Sequence, residues 1–267
     1  MSFQARSSRY RIAPVPWGYA FSGGMLGLAL ALLLFAPASL LGAGLAAATQ
    51  GRLQLVEERG SVWNGSARLL LTGGSGSRDS ASLPSRLSWT LRPAWAGLKL
   101  QLNASCCTPE PLQARFRLGW GSQNVELNNA TSNWPAAMLI GLGTPWNTVQ
   151  AEGSLQVTTQ ALTVKRFDGR VLLAGSAQLR ALDVSSRLST VRPMGSYQLQ
   201  LNGGEAPTLA LSTLSGTLKL SGDGSWVGSR LRFSGAASVE PELVGAFTNL
   251  LNIIGRRQGV QSIITLG

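Results

Sequence analysis

The 267-residue chain carries 23 Lys and Arg against 12 Asp and Glu, 32 glycines, two cysteines and no histidine. Without histidine it has no imidazole base and no imidazole metal ligand, and its dispersed carboxylates form no close pair in a catalytic setting. The formal net charge of +11 does not read as a nucleic-acid surface: the arginines stand singly apart from Arg256-Arg257, and no RRM, KH or zinc-finger signature occurs. The basic excess reads instead as a solvated face suited to anionic headgroups or an acidic partner.

The chain opens with a basic tail, residues 1–16, followed by the apolar run Trp17–Ala48, which carries no charge. A helix needs about 20 apolar residues to cross a bilayer core, so this run predicts one transmembrane helix. Arg6, Arg9 and Arg11 precede it, while Arg52 alone lies close behind and is followed by Glu57 and Glu58. The excess of positive charge on the inner side then leaves 1–16 in the cytoplasm and 49–267 on the far side of the membrane. Trp17 and Tyr19 suit an interfacial position. The alternative is a cleaved signal peptide with small residues at Gly44–Ala48, but the apolar stretch is about twice the usual h-region.

Beyond Ala48 the dominant signal is alternation with period two. It begins at Leu53–Glu57, where the adjacent Glu57 and Glu58 are expected on opposite faces, and continues through Val62–Leu71. Gly73–Ser85 reads as a loop. Leu87, Trp89 and Leu91 then alternate with polar residues, as do Leu98, Leu100 and Leu102, and next Leu112, Ala114, Phe116, Leu118 and Trp120. Similar stretches occur at Val125–Leu127, Leu155–Val157, Val171–Leu182, Tyr197–Leu201, Leu209–Leu211, Leu218–Leu220 and Leu231–Phe233. About a dozen strands with one buried and one wet face predict a largely antiparallel sheet.

Turns are expected at Gly73–Ser77, Asp168-Gly169, Asn202–Gly204 and Ser221–Gly224. Two short helices interrupt the pattern. Asn133 ahead of Trp134-Pro135 predicts a helix over Trp134–Gly141. Pro241–Gly255 places Leu243, Phe247, Leu250 and Ile254 on one face, with Gly255 to end it. The second helix reads as a cover for the sheet, with a membrane-lying role as the alternative. Glu152–Val157 and Ser215–Leu220 form a faint internal echo.

Cys106 and Cys107 are adjacent in a Ser-Cys-Cys-Thr-Pro segment. They read as two thiols in a turn or, in an oxidising compartment, as a vicinal disulfide. A metal site would need further ligands that the chain lacks. No Gly-Xaa-Ser-Xaa-Gly elbow and no phosphate-loop spacing occurs. Asn64, Asn103 and Asn129 match glycosylation acceptors formally, a match that matters only in a compartment that glycosylates.

The most specific patch is Gly60-Ser61-Val62-Trp63-Asn64-Gly65, followed by Leu87-Ser88-Trp89-Thr90-Leu91-Arg92-Pro93. With the short tail and span ahead, Asn133–Gly143 before a Gly-Ser-Leu-Gln-Val strand and the glycine-punctuated strands to Gly267, the chain resembles the type II secretion system protein N family. The resemblance implies a non-enzymatic inner-membrane accessory or scaffold subunit that needs no cofactor. Its partners would be other secretion subunits, namely the inner-membrane connector and the periplasmic region of the secretin. An open sheet edge could offer them main-chain hydrogen bonds. Only Trp63, Asn64 and Gly65 match closely enough to carry over, in a structural role. A likeness to AsmA-type proteins adds a second reading, a curved sheet whose apolar groove shelters lipid. The expected fold is all-β, with two short helices and one N-terminal transmembrane helix.

Overall fold

The computed structural model describes residues 17–74, 76–119, 121–167, 170–228 and 230–267, apart from the side chains at 32, 33, 118 and 170. Arg6, Arg9 and Arg11, Trp120 at the end of its expected strand, and the Asp168-Gly169 turn lie outside these residues. The chain divides into two compact units after Ala36.

In the first unit, α1 (Trp17–Leu34) is built from Ala, Leu and Gly with no charged residue. Leucine and alanine favour helix, and the helix stops ahead of Pro37, since a residue before proline avoids the helical region. Trp17, Tyr19, Phe21, Leu26 and Phe35 are exposed. Among the described residues, no helix is long and apolar enough to cross a membrane.

The second unit begins with α2 (Ala38–Ala48), preceded by Pro37. The run expected as one anchor over 17–48 is therefore two helices. The second is a sheet cover: Ala38, Leu41 and Leu45 pack with Leu55, Ala67 and Trp89.

Sixteen strands follow among the described residues, all in one sheet. The first half comprises β1 (Leu53–Gly60), β2 (Asn64–Thr72), β3 (Ser80–Ser82), β4 (Leu87–Ala94), β5 (Gly97–Ala104), β6 (Leu112–Gly119), β7 (Ser122–Leu127) and β8 (Ala130–Pro135). The second comprises β9 (Glu152–Phe167), β10 (Arg170–Ser185), β11 (Gly195–Gly204), β12 (Thr208–Gly216), β13 (Lys219–Val227), β14 (Arg230–Ser238), β15 (Arg256–Gln258) and β16 (Gln261–Leu266). The lateral order is β1-β2-β4-β5-β6-β7-β9-β10-β11-β12-β13-β14-β16-β15, with β3 beside β2 and β8 beside β9. Each of these pairings is antiparallel. The mainly antiparallel all-β expectation holds.

Three small cores line the sheet. One joins α2 to β1, β2 and β4. A second gathers Leu83, Ala104, Cys107 and Met138. The third places Phe247, Leu250 and Leu251 of α4 (Val244–Ile254) against Tyr197, Leu218 and Ala237. That burial rules out the membrane-lying alternative for this helix, whose apolar face is already spent on the sheet.

Several local expectations change. Alternation at Val62–Leu71 resumes only at Asn64, because residues 61–63 form a turn. Trp134-Pro135 is strand, not helix. Trp134 pairs with Leu155 of β9, its indole N–H donates to Ser132 Oγ at 2.8 Å, and only Ala136–Leu142 winds into a 3₁₀ turn. Pairing along β9 outweighs the local helix-start signal. A further turn of helix, α3 (Trp146–Val149), follows Pro145.

Ser221–Gly224 lies inside β13, where the glycines make room for the ring of Phe233 from β14; a Cβ at Gly222 would stand 2.5 Å from its Cζ. The echo segments differ too: Glu152–Val157 is continuous strand, whereas Ser215–Leu220 crosses the β12–β13 turn. Glu57 and Glu58 part at a bulge, marked by φ +53° at Glu57 and a register shift between Val56 and Arg59.

Candidate functional site

The Gly60–Gly65 patch is the hairpin turn between β1 and β2. Gly60, at φ +87°, starts it and pairs with Gly65. The Ser61 N–H donates to the Asn64 carbonyl at 2.9 Å, and the Asn64 N–H donates back to Ser61 Oγ at 3.1 Å. Strand β4 then clamps the turn: the Leu91 N–H donates to the Trp63 carbonyl at 2.7 Å and the Trp89 indole N–H to the Val62 carbonyl at 3.1 Å. Gly65 is required by this clamp. A Cβ there would lie 2.5 Å from Trp89 Cζ2 and 2.8 Å from the carbonyl oxygens of Arg59 and Ser61. Trp63, Asn64 and Gly65 are thus brought together by backbone contacts, and Trp89 and Leu91 complete the arrangement. Sequence reasoning placed Trp89 only as a buried strand residue.

Cys106 and Cys107 are joined by a disulfide. Cys107 is buried against Leu83, Ala104 and Met138, while Cys106 is exposed and its N–H donates to Ser85 Oγ at 3.2 Å. The Cys107 carbonyl accepts from the Asn133 N–H at 2.7 Å, so the pair ties the β5–β6 connection to β8. As a disulfide it offers no thiolate to a metal.

Among the described residues, no three Asp, Glu, Cys or His side chains gather where a metal ion would be held. Glu57 meets Arg68 and Arg86, each at 3.3 Å, in a surface network. Burial holds the Tyr197 hydroxyl above its usual range, and that hydroxyl has no hydrogen-bond partner. It sits in the α4 core, not in a cleft. A hollow lined by Ala46, Gln50, Gly51, Arg52, Gly73 and Gly74 is open and carries a single charged side chain.

Register reveals a feature that alternation alone did not. Arg92 lies directly opposite Lys99, and Lys99 directly opposite Arg115. These three cations on consecutive strands sit next to the hairpin tip carrying Trp95, which is 98% exposed.

The molecule is therefore an all-antiparallel sheet protein that presents clamped turns and charged faces, with covering helices near its two ends. The profile of the family described as type II secretion system (T2SS), protein N, matches residues 51–263, and the chain belongs to that family. Curated proteins and solved structures give no match. Membership makes the protein a component of the type II secretion system, located in the bacterial envelope, with other subunits of that system as partners.

Proposed function

We propose that the protein is a non-enzymatic accessory or scaffold subunit anchored in the inner membrane, with α1 as the anchor, residues 1–16 in the cytoplasm and the sheet in the periplasm. The observation that carries this reading is the all-round apolar exposure of α1, a pattern that a helix tolerates in lipid and not in water. Its 18 residues rise about 27 Å, a few ångströms short of a ~30 Å hydrocarbon core. A bilayer meets such a mismatch by local thinning.

The motif residues Trp63, Asn64 and Gly65 serve the fold by holding the first hairpin on β4. Strand addition at the sheet ends is poorly supported. β1 is bulged and carries Glu57, Glu58 and Arg59, while β15 has three residues including Arg256 and Arg257. Bulges, charge and short length are the means by which edges avoid pairing. Contacts to the connector or the secretin therefore run through side chains on the sheet faces.

The test is secretion of a known exoprotein in a deletion strain. Restoration by the full chain, but not by residues 37–267 exported with a cleavable leader, is expected. Equal restoration by both would refute the anchored role, and normal secretion in the deletion strain would refute the secretion role.

One observation favours a second reading, lipid handling. Leu98, Phe116, Val125, Val164 and Leu173 form a continuous cross-strand row, are only half-buried, and belong to none of the three cores. Native mass spectrometry of the full chain released from nanodiscs checks it: retained phospholipid supports the groove, and a bare chain removes it.

A further inference from the structure

We propose that the hairpin-tip edge of the sheet, centred on the β4–β5 turn and on the ends of β9 and β10 at Phe167 and Leu172, docks onto an anionic bilayer surface. The proposal stands apart from the secretion role and concerns the second compact unit alone.

The antiparallel order sends alternate connections to opposite long edges of the sheet. One edge holds the long connections with α3 and α4, while α2 runs across the sheet from Pro37, which bridges Ser61 at the hairpin edge. The other holds tight connections, including the turn after Ala94, and the paired ends of β9 and β10 at Phe167 and Arg170. Both edges carry mixed charge: Asp79, Glu110, Glu152, Glu240 and Glu242 lie with Arg78, Arg187 and Arg192 in or beside the connections of one, while Glu57, Glu58 and Glu205 lie toward the other. What sets the hairpin edge apart is a run of cations on one face that are unpaired among the described residues.

Toward the hairpin edge, residues directly opposite across strands share a face, as do residues two apart along a strand. By that rule Arg92, Lys99, Arg115, Arg117 and Lys165 occupy one face, with Glu126 the acid set among them. Glu126 is taken by Arg117 at 3.2 Å. Arg92, Lys99, Arg115 and Lys165 have no ion-pair partner among the described residues. Like charges placed directly opposite destabilise a sheet, so the Arg92–Lys99–Arg115 row is a burden on folding that an anionic surface relieves.

Apolar tips bracket the cations. Trp95 is 98% exposed in the β4–β5 turn, and Phe167 and Leu172, on the same face as Lys165, are 54% and 49% exposed near the paired ends of β9 and β10. The two tips lie four strand spacings apart, about 20 Å. Exposed aromatic and aliphatic tips flanking unpaired Arg and Lys match the headgroup region, where an indole sits at the interface and cations meet lipid phosphates. An acidic protein surface would account for the cations but not for two separated, exposed apolar tips.

The test keeps the full chain in nanodiscs of zwitterionic phosphatidylcholine and mixes it with vesicles of 7:3 phosphatidylcholine to phosphatidylglycerol, or of phosphatidylcholine alone, reading co-flotation. Binding is expected only to the anionic vesicles. R92Q/K99Q/R115Q should weaken it about 100-fold, since each cation near such a surface is worth about fivefold. W95A should weaken it about tenfold, and molar salt should abolish it as the screening length falls to about 3 Å. Because Arg92 and Arg115 are exposed, Lys99 is only half-buried and the row repels itself, the triple variant should unfold no more easily than the parent, which separates lost docking from lost folding. Equal flotation with both vesicles, or undiminished binding by a triple variant with native circular dichroism, would overturn the proposal. So would capture of the patch by an acidic secretion subunit while both vesicles stay inert.

Discussion

Gly65→Ala is the sharpest probe of the clamped first hairpin. The new methyl would meet three atoms at 2.8 Å or less: Trp89 Cζ2 and the carbonyl oxygens of Arg59 and Ser61. The two oxygens belong to the backbone of the turn itself. Neither can retreat without disturbing the Ser61 N–H to Asn64 carbonyl bond at 2.9 Å. Overpacking of this kind costs about 1–3 kcal/mol, and fixed backbone on two sides puts this case near 3 kcal/mol. Trp89→Phe alone should cost about 2 kcal/mol, from the lost indole bond to Val62 and the space left by the second ring. In the double variant the ring contact is relieved and the carbonyl contacts remain. The sum should therefore fall short of additivity by about 1 kcal/mol. Urea unfolding of the full chain in detergent, followed by far-ultraviolet circular dichroism, measures all three. A Gly65→Ala variant within about 0.5 kcal/mol of the parent would refute the clamp, and strict additivity would refute the Trp89 contact.

Other parts of the sheet yield further expectations. Tyr197 is buried with its hydroxyl raised above the usual range by desolvation. The unfolded chain ionises this group near pH 10 while the native chain still holds the proton. Stability should thus be whole below pH ~10 and fall above it by up to about 1.4 kcal/mol per pH unit until the native group also ionises. Tyr197→Phe should remove that part of the alkaline loss at no cost near neutrality, because the hydroxyl has no partner; urea midpoints across alkaline pH read it. Phe247→Ala, at a fully buried position, should cost about 3–5 kcal/mol in the same unfolding assay and loosen α4 first in hydrogen exchange. Either Cys106→Ser or Cys107→Ser opens the disulfide, but Cys107→Ser also buries a hydroxyl among Leu83, Ala104 and Met138 and should be less stable than Cys106→Ser by about 1–2 kcal/mol. Thermal melts of the two variants side by side would show the difference.

The strands were legible because a half-wet sheet writes itself as alternation, which is why β5, β6, β9 and β10 fall where Leu98–Leu102, Leu112–Phe116, Leu155–Val157 and Val171–Leu182 placed them. The helix over Pro241–Gly255 was legible for the same reason at a different period. Glycine misled: Gly222 and Gly224 resemble a turn until Phe233 is seen to need the space, a fact held by another strand. Trp134-Pro135 looked like a helix start because its partner strand β9 lies some twenty residues on. The apolar run 17–48 looked uniform, yet Pro37 divides it, and α2 is claimed by Leu55 and Trp89. Of the candidate surface, the exposure of Arg92, Lys99 and Arg115 was legible strand by strand. Their alignment depends on register, which no single segment encodes.

The order of strands across the sheet follows their order along the chain almost throughout; only β3, β8 and the closing β16-β15 pair step aside. Each newly delivered hairpin thus finds its dock on the one just before it, and little waits for a distant partner. Such local wiring keeps contact order low and allows ordering to advance from one terminus to the other, as in stacked repeats. A chain held by an amino-terminal anchor while the rest passes across a membrane would be able to build its sheet from β1 onward as it emerges, with α4, β15 and β16 arriving last to seal the growing end.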